Sequence, residues 1–160
     1  MNVAVGCDHA GFPLKGTVVA ALRALGHAVE DLGTHSTDAV DYPDYARAVA
    51  VAVLSGKCDR GIVICGSGVG ASVAASKVPG IRSAMCHDTF SARQGVEDDD
   101  MNVLSIGARV IGSALAAEVV GAFVRAEFSG AERHARRLAK VNAIEEEARS
   151  GAFDLARRVP

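Results

Sequence analysis

Short apolar runs alternate along this chain with longer stretches in which apolar residues recur at helical spacing. Val3 to Cys7 reads as a strand, and from Pro13 to Leu25 the residues Leu14, Val18, Ala21, Leu22 and Leu25 mark one face of a helix that Gly26 stops. Ala28 to Leu32 is a weaker second strand, followed by a polar loop from Gly33 to Asp41. Tyr42 to Leu54 reads as a helix with Tyr45, Val49, Ala52 and Val53 on one side, ended by Gly56. Gly61 to Cys65 is the third strand, Val69 to Lys77 a helix closed by Pro79-Gly80, and Arg82 to Cys86 the fourth strand. Asp88 to Glu97 is helical, with Asp88 or Thr89 as its N-cap. Val103 to Ile106 is the fifth strand, Gly112 to Phe128 a long apolar helix, and Glu132 to Arg149 a final charged helix.

Five alternations of strand and helix predict an α/β fold: a three-layer, Rossmann-like, five-stranded parallel sheet with helices on both faces, plus a C-terminal helix. In such sheets ligands bind beyond the carboxyl ends of the strands, where the strand order reverses. Asp8 and His9 follow the first strand, Cys65 and a glycine loop the third, His87 and Asp88 the fourth, and Gly107-Ala108-Arg109 the fifth. The candidate chemistry therefore falls on one edge of the sheet.

Composition narrows the classes. The 160 residues suit a single domain, expected over residues 1–149, with 150–160 as a tail. Aromatics are 4% and Trp is absent, so the core has to be built from Val, Ala, Leu and Ile. A net charge of −2 supplies no basic field for nucleic acid. No run is long and apolar enough for a membrane span and no secretory signal is visible, so a cytoplasmic protein is expected. Cys7, Cys58, Cys65 and Cys86 form no CxxC, which argues for thiols rather than a zinc site or disulfides.

The segment IVICGSGVGA, residues 62–71, places a thiol at the mouth of a loop suited to an anion. Gly66, Gly68 and Gly70 let an anion approach main-chain N–H groups, and the following helix turns its positive end there. A thiol in that position loses its proton more readily, so Cys65 is a candidate nucleophile or general base. Ser67 offers a hydroxyl that can pass a proton between neighbouring oxygens. A tight turn packing a helix on a strand has the same pattern. GSGVGA also fits the loose dinucleotide fingerprint, but after the third strand rather than the first. A low-molecular-weight phosphatase loop needs Arg where this chain has Ala71.

Five motifs in order, GCDHAG, DYPDYA at 41–46, CGSGVG, NVLSIGARVIG at 102–112 and ERHARRLAKVNAIE at 132–145, resemble the type B ribose-5-phosphate isomerases. Their superfamily includes galactose-6-phosphate isomerase subunits and tetrulose-4-phosphate isomerases. The resemblance spans Val3 to about Glu146. It implies an aldose–ketose sugar-phosphate isomerase without metal or organic cofactor, working through a cis-enediol or enediolate. It also implies a homodimer, or a tetramer of two such pairs, with active sites between subunits.

By resemblance Cys65 is the base and Ser67 the proton shuttle, with the N–H groups of Gly66, Gly68 and Gly70 stabilising the enediolate. Asp8, His9 and Tyr42 match residues that bind the sugar, and Asp99 is grouped with them. Arg109, Arg133 and Arg137 match a phosphate clamp, with His134 beside it. His27, His35 and His87 match no functional position and are read as structural.

One departure stands out. The family's ring-opening histidine, which reaches the partner subunit's site, is replaced by Asp98 in the run Glu97-Asp98-Asp99-Asp100. A carboxylate is normally ionised at neutral pH and cannot donate a proton. Ribose 5-phosphate is thus one expected substrate and an acyclic tetrulose 4-phosphate another. A catalytically weak sugar-phosphate-binding protein and a nucleotide-binding module are the competing classes. Retention of Cys65 and Ser67 argues against the first, and the three arginines with Asp8-His9 against the second.

Overall fold

Strand side chains alternate between faces, and here the two faces differ in size. Val3, Val5 and Cys7 of β1 (Asn2–Cys7), Ile62 and Ile64 of β3 (Arg60–Cys65), and Leu104 and Ile106 of β5 (Val103–Gly107) are buried together. They pack under Leu14, Val18 and Leu22 of α1 (Phe12–Ala24), Ala92 and Val96 of α4 (Thr89–Asp99), and Val119, Val120 and Phe123 of α5 (Ser113–Arg125). The opposite face carries smaller residues, Ala4, Val63, Cys65 and Val103. Small residues of α2 (Tyr42–Leu54) and α3 (Val69–Ala75) close on it, among them Ala46, Ala50, Ala71 and Ala75. Each fully buried Val, Leu, Ile or Phe contributes about 1.5–3 kcal/mol, so these two cores hold the sheet between its helical layers.

The computed structural model describes residues 1–153. They form two compact units, Met1–Phe128 and a second that begins at Ser129. In the first, all five strands are parallel, in the order β2-β1-β3-β5-β4, with β2 (Ala28–Asp31) and β4 (Ser83–Met85) at the edges. The order reverses between β1 and β3, so the crevice that opens there lies beside Asp8 and Cys65. The expected three-layer α/β architecture is the one observed. The second unit contains α6 (Glu132–Ser150), closed by Gly151 at φ 73°. Residues 154–160, most of the expected tail, lie outside the described residues. No helix among the described residues is long and apolar enough to cross a membrane.

Several boundaries differ from the pattern, two of them through tertiary contacts. α5 stops at Arg125 rather than running to Phe128. Arg60 of β3 donates to the Ala126 carbonyl (2.7 Å) and to that of Phe123, supplying the cation a helix end attracts. β4 is shorter than expected because Arg82 turns away to Asp100 and Asn102. Its side chain donates to the Asp100 carboxylate (2.6 Å) and carbonyl (2.7 Å), and its N–H to Asn102 Oδ1 (2.8 Å). α4 runs past Glu97 to Asp99 and ends on Asp100 at φ 51°. Its start is as expected, with the Asp88 carboxylate accepting from the Ser91 N–H (2.7 Å). α3 ends at Ala75, two residues before Lys77.

Candidate active site

The end of β1 turns through Asp8 directly onto β3. Asp8 is 5% exposed, its N–H donates to the Ile64 carbonyl (3.2 Å), and its carboxylate accepts from the Gly11 N–H (2.8 Å). Gly11 lies so close to β3 that a β-carbon on it would sit 2.1 Å from the Ile64 carbonyl oxygen. This contact sets Asp8 beside Cys65.

His9, half-buried, is held by a neighbouring loop. Its Nδ1 lies 3.2 Å from the Val40 N–H and 3.1 Å from the Val40 carbonyl, which leaves Nε2 as the nitrogen for a ligand. The loop itself is pinned by Lys15, buried although charged. Lys15 Nζ pairs with the Asp31 carboxylate (2.9 Å) and donates to the Thr34 carbonyl (2.8 Å). A buried ammonium is retained only with such partners.

Cys65 ends β3 with its side chain buried, and the Gly68 N–H donates to its sulfur (3.1 Å). Gly68 reaches that geometry at φ 83°, the left-handed region that glycine enters freely. The Gly68 N–H, expected among three enediolate donors, is therefore occupied by the thiol. Burial pushes the Cys7 and Cys86 thiols up to about 11 and raises that of Cys58. Ser67 is exposed, and its hydroxyl oxygen accepts from the Val69 N–H (3.3 Å), which leaves the hydroxyl proton available to donate.

Two further residues close on the loop. Tyr42, first in α2, stacks on Gly70, where a β-carbon would lie 2.8 Å from the ring. Arg109 crosses Gly66, with its side chain 3.6 Å from where a β-carbon would stand. The turn bearing Arg109 is tied to the loop by Ala108 N–H to the Cys65 carbonyl (2.9 Å) and Arg109 N–H to the Gly66 carbonyl (3.0 Å). Asp8, Cys65, Ser67, Tyr42, Arg109 and the three glycines thus meet at the carboxyl edge of the sheet.

Asp98 and Asp99 do not join them. They form the last turn of α4, which runs from the carboxyl edge back to the amino edge over about 16 Å. The Asp98 carboxylate accepts from Gln94 Nε2 (3.1 Å). Arg133, His134 and Arg137 belong to the second unit, on α6. There both ring nitrogens of the buried His134 are engaged, Nδ1 with the Ser129 hydroxyl (2.7 Å) and Nε2 with the Arg133 Nε–H (2.8 Å). In that state His134 orients Arg133. Among the described residues no group of three or more His, Cys, Asp or Glu side chains is arranged to hold a metal ion.

A model of the family described as Ribose/Galactose Isomerase matches residues 3–141. The chain belongs to that family. Ribose-5-phosphate isomerase B of Escherichia coli is 46% identical over 91% of this chain and 97% of its own. A D-erythrulose-4-phosphate isomerase of Pectobacterium atrosepticum is 43% identical, covering 81% of this chain and 86% of its own. The solved ribose-5-phosphate isomerase B of Clostridium thermocellum superposes with a TM-score of 0.89 at 48% identity, over 92% of this chain and 99% of that one. Within this family fold His87, set aside on sequence, touches the site region. Its Nε2 accepts from the Gly107 N–H (2.9 Å). Its place directly after the fourth strand marked it for this edge, but nothing in the sequence pairs its ring with the Gly107 N–H.

Proposed function

We propose that the protein interconverts a phosphorylated aldose and ketose through a cis-enediol or enediolate, with ribose 5-phosphate and ribulose 5-phosphate as the substrate pair. The observation that carries this reading is Cys65, a buried thiol at the reversal of strand order with a main-chain donor on its sulfur. The Cys65 thiolate takes the C2 proton of the open-chain aldose, and the electron pair moves to the C1 carbonyl oxygen. Ser67 then carries a proton from O2 to O1, and the thiol returns its proton to C1. Main-chain N–H groups of Gly66 and Gly70 are assigned to the developing enediolate, where fixed dipoles stabilise most. Asp8, His9 and Tyr42 hold the sugar. The test is a coupled isomerase assay on ribose 5-phosphate, a tetrulose 4-phosphate and galactose 6-phosphate. Absence of turnover on all three refutes the reading.

Phosphate recognition is assigned to Arg109, Arg133 and Arg137, with His134 orienting Arg133. Arg137→Ala is expected to cost about 2 kcal/mol, roughly 30-fold in affinity for a phosphorylated ligand, because such contacts are charge-assisted. Titration calorimetry checks this, and an unchanged affinity removes Arg137 from the clamp.

The working form is assigned as a homodimer. Asp98 stands at the amino edge in its own chain, so a role at the carboxyl edge falls to a second copy. Sedimentation at assay concentration is expected to give the dimer mass. An active monomer contradicts the assignment.

A second reading, an acyclic substrate, is favoured by Asp98 itself, a carboxylate already accepting from Gln94. Ribose 5-phosphate closes to a furanose through its fourth hydroxyl and benefits from an acid at the ring oxygen. In a tetrulose 4-phosphate that oxygen carries the phosphate and no five-membered ring forms. The native chain and Asp98→His are compared on both substrates. Histidine is expected to help mainly the pentose. Faster native turnover of ribose 5-phosphate than of the four-carbon substrate ends the second reading.

A further inference from the structure

The β4–β5 ladder stops one step short. The Cys86 N–H donates to the Ser105 carbonyl (3.1 Å), and in a parallel ladder the next rung runs from the Gly107 N–H to the β4 chain. Here the Gly107 N–H instead meets the side chain of His87. Gly107 is buried, so this donor is costly to leave unpaired.

Gly107 is also the hinge of the site. A β-carbon on it would lie 2.5 Å from the Ser67 carbonyl carbon and oxygen, so its Cα is pressed against the loop that bears the proposed shuttle. Its carbonyl accepts from the Val110 (3.0 Å) and Ile111 (3.3 Å) N–H groups, which closes the turn carrying Arg109. One imidazole therefore fixes the residue at which the glycine loop and the arginine turn meet.

We propose that His87 is a positioning residue: by accepting the Gly107 N–H at Nε2 it holds Arg109 and the Ser67 loop in register for a phosphorylated sugar. The neutral ring has one acceptor nitrogen, and accepting at Nε2 places its proton on Nδ1. Burial lowers the His87 pKa, an effect larger than the opposing pull of Asp88, the adjacent N-cap carboxylate. Glutamine places its amide oxygen near the position of Nε2 and can replace it. Leucine has similar bulk and no acceptor.

The proposal rests on the isomerase reading for its link to phosphate, and the experiment separates the two. His87→Leu and His87→Gln are compared with the native full chain. The readouts are affinity for inorganic phosphate, the KM and kcat for ribose 5-phosphate, and hydrogen exchange of the Gly107 amide. His87→Leu is expected to weaken phosphate binding and raise KM about tenfold, with kcat changed less and the Gly107 amide exchanging faster. His87→Gln is expected to restore all of these to within about threefold. A purely structural histidine would lower the active fraction in both variants and leave KM alone. If His87→Leu does not fold, His87→Asn, whose shorter amide stops short of Gly107, takes its place. Unchanged KM and phosphate affinity in the acceptor-free variant, or a glutamine variant as impaired as leucine, overturns the proposal. If the native chain binds no phosphate, the phosphate assignment itself fails, and Gly107 exchange alone decides the anchor.

Discussion

Cys65→Ala is expected to lower kcat on the preferred sugar phosphate by about a thousandfold while leaving phosphate-ligand affinity within about twofold of native. The base acts only as the carbon–hydrogen bond breaks, so its loss removes a transition-state interaction and leaves ground-state binding in place. The substitution is mild structurally. It trades one small apolar side chain for another at a 5% exposed position, and the Gly68 N–H loses only a sulfur acceptor. Cys7, Cys58 and Cys86 cannot stand in, because each is buried elsewhere and raised above the ordinary thiol range. Steady-state kinetics with calorimetry on a phosphorylated competitive ligand makes the check. Turnover within tenfold of native would show that another group takes the proton.

Gly11→Ala is expected to be the most destabilising single-methyl change in the site. The new β-carbon would fall 2.1 Å from the Ile64 carbonyl oxygen and 2.5 Å from its carbon, both backbone of the central strand β3. Neither can move without breaking the sheet, so the Asp8–Gly11 turn must lift. The expected cost is about 3 kcal/mol, or roughly 10 °C in Tm for a chain of this size. Asp8 and His9 lift with the turn, so activity falls beyond the loss of folded protein. Gly16→Ala is the control. It lies exposed on α1 with nothing within 4 Å of the new methyl. There the substitution is expected to stabilise by about 0.5–1 kcal/mol, since alanine suits a helix interior better than glycine. Parallel thermal melts read both. Equal melting temperatures would show that the turn does not bear on β3.

Much of this was legible in the linear chain. Strand and helix periodicity gave five strands and six helices in the right order, because local spacing of apolar residues decides which face each element buries. The placement of Asp8, Cys65 and Arg109 at the ends of the first, third and fifth strands was equally local: parallel crossovers send every strand end to the same edge. The glycine loop announced its own conformational freedom.

What the chain alone did not reveal depends on partners distant in sequence. The end of α5 was set by Arg60, 66 residues away from Ala126, and the shortening of β4 by Arg82 turning to Asp100. That β5 inserts between β3 and β4 is a matter of sheet order, invisible to periodicity. So are the engagement of the Gly68 N–H by Cys65, the distance of Asp98 from that edge within its own chain, and the grip of His87 on Gly107. Each of these turns on which donor finds which acceptor once the layers have packed. A pattern of apolar and polar positions specifies which face is buried, and carries no information about the direction in which a particular N–H or imidazole points.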